Sequence, residues 1–167
     1  MLPPPALLLS GSFGSADMIQ FDTCPSPFGN LCIGWEGEAI ISIRLGEPEA
    51  ISTSPVSQLA AKQLSEYFSG SRTSFTFPID LRGTPFQVSV WKELARIPYG
   101  QTVSYKDIAL AIGNEKAVRA VGMACNRNPV WIAIPCHRVL SASQKLTGYA
   151  GGLSMKEALL KLESQQT

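Results

Sequence analysis

The feature that most limits how this chain can fold is a change of rhythm at Leu81-Arg82-Gly83. Before it, apolar residues alternate or run in short blocks, as strands require; after it, helix-start signals follow one another closely. Leu31, Ile33 and Trp35 share one face ahead of Gly37, and the apolar run Ile40 to Leu45 answers them, so the stretch from Met18 to Leu45 predicts a hairpin. Ser54-Pro55 sets an N-cap before a proline at the first helical position. Val56, Leu59, Ala60, Leu64, Tyr67 and Phe68 then recur at helical spacing until Gly70 stops the helix. Phe75, Phe77 and Ile79 alternate as one more strand. Strand, strand, helix and strand make a small α/β layer over residues 18–82.

Residues 83–167 read as mainly helical. Thr84-Pro85-Phe86-Gln87 has capping-box spacing and opens a helix with Phe86, Val90, Trp91 and Leu94 inward. Ser104-Tyr105-Lys106-Asp107 repeats the spacing with Asp in place of Glu or Gln. Gly113-Asn114 breaks the chain tightly, and a third helix is expected from about Glu115 to Asn126. Two short helices joined by a glycine turn are a helix-turn-helix candidate. The run Val130 to Ile134 predicts a buried strand ending at Pro135, and Ser154-Met155-Lys156-Glu157 predicts the cap of a last helix reaching Glu163.

Charge divides along the same line. Residues 1–82 hold four Lys or Arg against eight Asp or Glu, whereas residues 83–167 hold ten against five. A basic half joined to an acidic one points to a polyanion held by the second half. Lys116 and Arg119 on the third helix, with Lys106, Arg127 and Arg138 nearby, supply side chains for phosphate.

No apolar run is long enough to span a bilayer, which predicts a soluble protein. Residues 1–17 hold a short apolar stretch but no Lys or Arg and three prolines, Pro3, Pro4 and Pro5, so a disordered or misassigned start fits them better than a secretory signal. Cys24, Cys32, Cys125 and Cys136 lack CxxC spacing and there is one histidine, so no metal site is expected. Reduced thiols in a cytoplasm are the simpler reading, with disulfides left open.

Cys136 and His137 stand between Pro135 and Arg138, at the end of the expected strand. A thiol is a nucleophile only as thiolate, and a neighbouring imidazole or guanidinium favours that form. An inert buried cysteine is the alternative that residue type alone leaves open.

Pro135-Cys136-His137-Arg138-Val139 resembles the active-site signature of the O6-alkylguanine-DNA alkyltransferases. The resemblance runs on through Arg82-Gly83-Thr84-Pro85-Phe86-Gln87, Ile97-Pro98-Tyr99-Gly100, Val103-Ser104-Tyr105, Ala117-Val118-Arg119-Ala120-Val121-Gly122, Asn128-Pro129 and Gly148-Tyr149-Ala150-Gly151-Gly152, in the family's order. It implies an α+β fold, with a small N-terminal ribonuclease H-like α/β domain followed by a C-terminal winged helix-turn-helix-like domain that carries the active site. It also implies repair by irreversible, one-for-one transfer of the alkyl group of O6-alkylguanine, and of O4-alkylthymine, to Cys136 after the base is flipped out. No cofactor, no obligate protein partner and a monomer go with it.

The family's roles fall on matching positions. Cys136 is the acceptor, His137 the base acting through a water, Glu163 the residue that orients His137, and Asn128 a hinge. Tyr105 crowds the target phosphate and donates to the base. Arg119 fills the gap left by the extruded guanine, with Lys116, Ala117 and Arg127 on duplex DNA through the minor groove. Val139, Tyr149, Ala150, Trp131, Cys125 and Arg138 surround the base, and Trp131 stands where many relatives carry a smaller residue. Two other readings are a lesion-binding module that lacks the acceptor cysteine, against which the intact Cys136 argues, and a cysteine hydrolase or acyltransferase, for which adjacent Cys136 and His137 are poorly placed.

Overall fold

The computed structural model describes Leu7–Leu9 and Met18–Gln165, which divide into two compact units. One unit runs up to Arg82 and takes in Pro129–Ala133; the other comprises Gly83–Asn128 and the chain from Ile134 onward.

The first unit is a five-stranded mixed sheet with one helix. Its strands are β1 (Leu7–Leu9), β2 (Gln20–Cys24), β3 (Leu31–Glu36), β4 (Ala39–Leu45) and β5 (Ile79–Leu81), in the order β1-β5-β4-β3-β2. The expected hairpin is β3 and β4, turning at Gly37, whose φ of 58° lies in the left-handed region that glycine adopts without strain. β2 adds a third antiparallel strand, while β4 pairs β5 and β5 pairs β1 in parallel. A Cβ at Gly34 would collide with Ser42 Oγ, and the register shifts between Gly34 and Trp35 there. Helix α1 (Pro55–Phe68) starts with Ser54 accepting from Ser57 N–H while Ser57 Oγ accepts from Ser54 N–H, so Ser57 completes the box. Its buried Ala60, Leu64 and Tyr67 share the core with Leu31, Ile33, Ile40, Ile43, Phe77 and Ile79.

Several expectations need correction here. Leu7–Leu9, assigned by sequence to an unstructured tail, form a strand because the outer edge of β5 offers them a parallel partner; the rest of residues 1–17 lies outside the described residues. Phe75 and Phe77 are buried but lie before the strand, which begins only at Ile79: the alternation reflected burial, not pairing. Leu59 is 37% exposed, at the margin of the helix's apolar stripe.

The expected strand Val130–Ile134 is absent. A single parallel bridge joins Val130 to Ile43, with Ile43 N–H donating to Pro129 O at 2.9 Å and Trp131 N–H to Ile43 O at 3.0 Å. The chain then reverses at Ile132, whose φ is 74°, with Ala133 N–H donating to Trp131 O at 2.8 Å. That is the rare γ-turn, and a β-branched residue in this region costs about 1–3 kcal/mol. Burial of Val130, Ile132 and Ala133 offsets the strain and explains why the run looked like a strand.

The second unit is built from helices α2 (Pro85–Leu94), α3 (Tyr105–Ala111), α4 (Val118–Asn126) and α5 (Leu153–Gln165), with a parallel two-stranded sheet of β6 (Val103–Ser104) and β7 (Val139–Leu140). Both capping boxes form: Thr84 with Gln87, and Ser104 with Asp107. Val90, Trp91 and Leu94 of α2 are buried, and Trp91 Nε1 donates to Ala124 O of α4 at 2.8 Å. Two helix starts differ from expectation. α4 begins at Val118, so Glu115 and Lys116 precede it and Ala117 caps it without a side-chain hydrogen bond; the preceding turn closes through Ala117 N–H to Asn114 O. α5 begins at Leu153, so Ser154 lies inside the first turn instead of capping it. No described helix is long and apolar enough to cross a membrane.

Candidate active site

Cys136 opens a short 3-10 helix, Cys136–Arg138, at which the chain arrives through a second γ-turn. Pro135 sits at φ −84° and ψ 64°, and Cys136 N–H donates to Ile134 O at 2.8 Å. This inverse γ-turn is a favourable conformation that the proline ring sets in advance. The end of a buried strand, where the sequence placed Cys136 and His137, is thus replaced by a turn and a single helical turn.

Asn128, just past the end of α4, holds this turn. Its amide donates to Ile134 O at 2.7 Å and to Cys136 Sγ at 3.2 Å. Burial pushes the Cys136 thiol up to about 11, although the Asn128 hydrogen bond and the Lys156 charge favour the thiolate. The thiol is therefore protonated at neutral pH and needs a base. Cys125 on α4 is pushed up to about 12, first by burial and then by the neighbouring Cys136. All four cysteines are free, and among the described residues no group of side chains could hold a metal.

His137 is 0% exposed, and its Nε2 stands 2.6 Å from Glu163 Oε2. Burial lowers its affinity for a proton, while Glu163 works in the opposite direction. The neutral imidazole then carries its hydrogen on Nε2, donated to the carboxylate, and keeps a lone pair on Nδ1, which has no hydrogen-bond partner among the described residues. Glu163 lies on α5. Its hydrogen bonds and ion pairs to His137 and Arg138 hold its carboxyl far below the usual carboxylate range, against the opposing effect of burial.

Arg138 is nearly fully buried, and the expectation that it binds phosphate is corrected. Its guanidinium is buried, with Nε on Glu163 Oε1 at 2.7 Å, Nη2 on Glu163 Oε2 at 3.0 Å and Nη1 on Ile97 O at 2.7 Å. A buried carboxylate with an imidazole on one side requires this counter-charge.

Lys156 has no role in the sequence reading beyond its place in a cap. It is 0% exposed, and its Nζ donates to Val139 O at 2.6 Å and to Thr147 O at 2.8 Å. It also lies 5.9 Å from the centre of the Tyr105 ring. The Tyr105 hydroxyl donates to the same Thr147 carbonyl at 3.1 Å, so a lysine, a tyrosine and the loop before Gly148 share one acceptor. The signal was present in the sequence: Lys156, Leu159 and Glu163 fall three and seven residues apart, along one face of α5.

Of the remaining expected residues, Val139 and Tyr149 are buried and Ala150 is exposed. Arg119 is exposed on α4, Lys116 precedes that helix and Arg127 follows it. Trp131 belongs to the first unit, in the turn beside β4.

Residues 19–81 match the profile of the 6-O-methylguanine DNA methyltransferase ribonuclease-like domain, and residues 85–165 match that of the same family's DNA binding domain. The methylated-DNA--protein-cysteine methyltransferase of Mycobacterium tuberculosis is 46% identical over 156 residues, covering 89% of this chain and 94% of that protein. The constitutive enzyme of the same name from Bacillus subtilis is 42% identical, over 87% and 96% of the two chains. The crystal structure of Mycobacterium tuberculosis OGT in complex with DNA superposes with a TM-score of 0.82 at 45% identity, over 88% of this chain and 94% of that one. With two family profiles spanning nearly all the described residues, a shared α+β fold, and a cysteine and histidine set in one buried polar cluster, this chain belongs to the 6-O-methylguanine DNA methyltransferase family.

Proposed function

We propose that this protein repairs DNA by moving the alkyl group of O6-alkylguanine, and of O4-alkylthymine, onto Cys136. The observation that carries the reading is the buried cluster in which Asn128 binds Cys136 Sγ and Glu163 binds His137 Nε2, leaving Nδ1 as the basic atom. His137 takes the thiol proton through a water, and the sulfur attacks the alkyl carbon as the bond from carbon to O6 breaks. Negative charge passes to the guanine, toward which the Tyr105 hydroxyl turns the hydrogen it otherwise donates to Thr147 O. The product is a thioether, with no carbonyl for water to attack, so each molecule acts once.

The target carbon cannot be reached inside the base stack, so the nucleotide is flipped out. Val139, Cys125, Tyr149 and Ala150 surround it. Arg119 on α4 fills the gap in the duplex, and Lys116, Ala117 and Arg127 lie along the minor groove, whose poor sequence code suits a lesion searcher. The excess of basic residues beyond position 82 and the exposure of Arg119, Lys116 and Arg127 support this. In this reading residues 18–82 and 83–167, the latter without Pro129–Ala133, act as the two domains of a cytoplasmic monomer that needs no cofactor or protein partner.

Incubation with duplex containing O6-methylguanine, followed by intact-protein mass and peptide mapping, tests the proposal. The expected result is one added methyl on Cys136 and a plateau at one equivalent, whatever the excess of DNA. Continued turnover, or methyl on another residue, refutes it.

A further inference from the structure

We propose that Arg138 is a positioning residue for the transfer step: by clamping both oxygens of Glu163 and neutralising them, it keeps His137 the neutral imidazole whose Nδ1 can accept a proton. This rests on the reading of His137 as the base.

Each Glu163 oxygen is held twice. Oε1 accepts from Arg138 Nε at 2.7 Å and from Gly100 N–H at 3.3 Å; Oε2 accepts from Arg138 Nη2 at 3.0 Å and from His137 Nε2 at 2.6 Å. The guanidinium is fixed in turn by Ile97 O at 2.7 Å and lies 5.6 Å from the centre of the Tyr99 ring. The carboxylate therefore has one orientation, and the imidazole that donates to it has one tautomer.

The charge matters as much as the geometry. An unneutralised carboxylate 2.6 Å from a buried imidazole draws a second proton onto it, and imidazolium is no base. The charged and titratable groups around the His137–Glu163 pair are Cys136 and Arg138 on the element of His137, Lys156 from α5, and, facing Glu163, Tyr99 from the segment after α2 and Tyr149 from the loop before α5. Glu163 favours the protonated ring, while Arg138 and Lys156 oppose it in the same sense as burial. Lys156 Nζ is bound to the Val139 and Thr147 carbonyls, so Arg138 is the cation in contact with the carboxylate itself.

The chain has a single histidine, so one imidazole appears in a nitrogen-15 NMR titration of the full-length protein. In the unaltered protein the ring is expected to remain the neutral Nε2–H tautomer well below the ordinary histidine range. In Arg138→Met its protonation is expected to move up by about 1 unit or more. The acid limb of the rate of transfer from O6-methylguanine duplex moves with it, so that the rate near the limb falls about tenfold. Arg138→Lys, which retains the charge, is expected to restore the neutral ring. An unaltered protein whose imidazole is charged or Nδ1-protonated at neutral pH overturns the proposal, and does so even if Arg138→Met does not fold. A Met variant that loses only stability, with its imidazole still neutral, also overturns it. Because the titration needs no alkyl transfer, failure of the DNA reaction and failure of the Arg138 assignment are separate results.

Discussion

The two units treat buried charge in opposite ways. In the first, the carboxylates of Glu36 and Asp80 meet Arg82, which is 38% exposed, and Asp22 is tied to the Ser57 hydroxyl and the Thr23 N–H. The core beneath them is apolar. In the second, Cys136, His137, Arg138, Lys156 and Glu163 are all buried and bind one another or backbone carbonyls, with His137 Nδ1 left without a partner among the described residues. Taking an ion out of water costs several kcal/mol, and a well-packed apolar cluster would be at least as stable. The first unit's buried carboxylates, Glu36 and Asp80, share an arginine that reaches solvent, whereas the second gathers two cations, a carboxylate and an imidazole out of water around one cysteine, which points to chemistry there.

Substitutions can break the comparison, and the largest effect is expected from Cys136→Ser. Transfer from O6-methylguanine duplex is expected to fall below detection by mass, because an alcohol is a far weaker nucleophile, while binding of the same duplex in a mobility shift persists. Loss of both would make Cys136 a packing residue like those of the first unit. Arg119→Ala comes next: it is expected to slow repair of duplex by about 10–100-fold, the equivalent of about 1–3 kcal/mol of flipping energy, yet leave reaction with free O6-benzylguanine nearly unchanged. Equal losses with both substrates would move Arg119 into the pocket or the fold.

Stability then sharpens the contrast. Glu163→Ala leaves the buried Arg138 guanidinium without its counter-charge, with only Ile97 O and the Tyr99 ring to hold it, and is expected to cost about 3–5 kcal/mol in urea unfolding. Ile43→Ala, in the apolar core of the first unit, is expected to cost about 2–5 kcal/mol, and the remaining folded protein still accepts one methyl per chain. If Glu163→Ala were neutral, the second unit would not depend on its charge cluster.

The pH dependence follows from the same groups. His137 binds a proton less readily when folded than its ordinary value of 6.5, so below that pH the unfolded chain takes up a proton that the folded one does not. Glu163 is depressed below its ordinary 4.5, so its contribution is complete above that value and is lost as the pH falls through the folded one. Both make stability fall with acid, and urea midpoints measured from pH 7 to pH 4 are expected to decline steadily. In His137→Gln the upper part of that decline is expected to vanish. The smallest effect is shared by both units: Ser54→Ala or Thr84→Ala is expected to cost about 1 kcal/mol, the worth of one N-cap.

What the sequence determined by itself was local. Ser54, Thr84 and Ser104 cap helices through partners three residues away, so composition and spacing were enough to place three helix starts. The sequence also carried the family through motifs in register. Tertiary structure decided what depends on distant partners. The run Val130–Ile134 has the apolarity of a strand, but a single bridge to Ile43 and a left-handed Ile132 make it a turn, since only the neighbouring strand's free edge decides how many residues pair. Arg138 looked like a phosphate ligand because a guanidinium's partner is invisible from its own neighbours; Ile97 and Glu163 lie 41 and 25 residues away. Lys156 shares one face of α5 with Leu159 and Glu163, a spacing the sequence carries, but the carbonyls of Val139 and Thr147 that bind its ammonium lie 17 and 9 residues away and only the fold brings them to it.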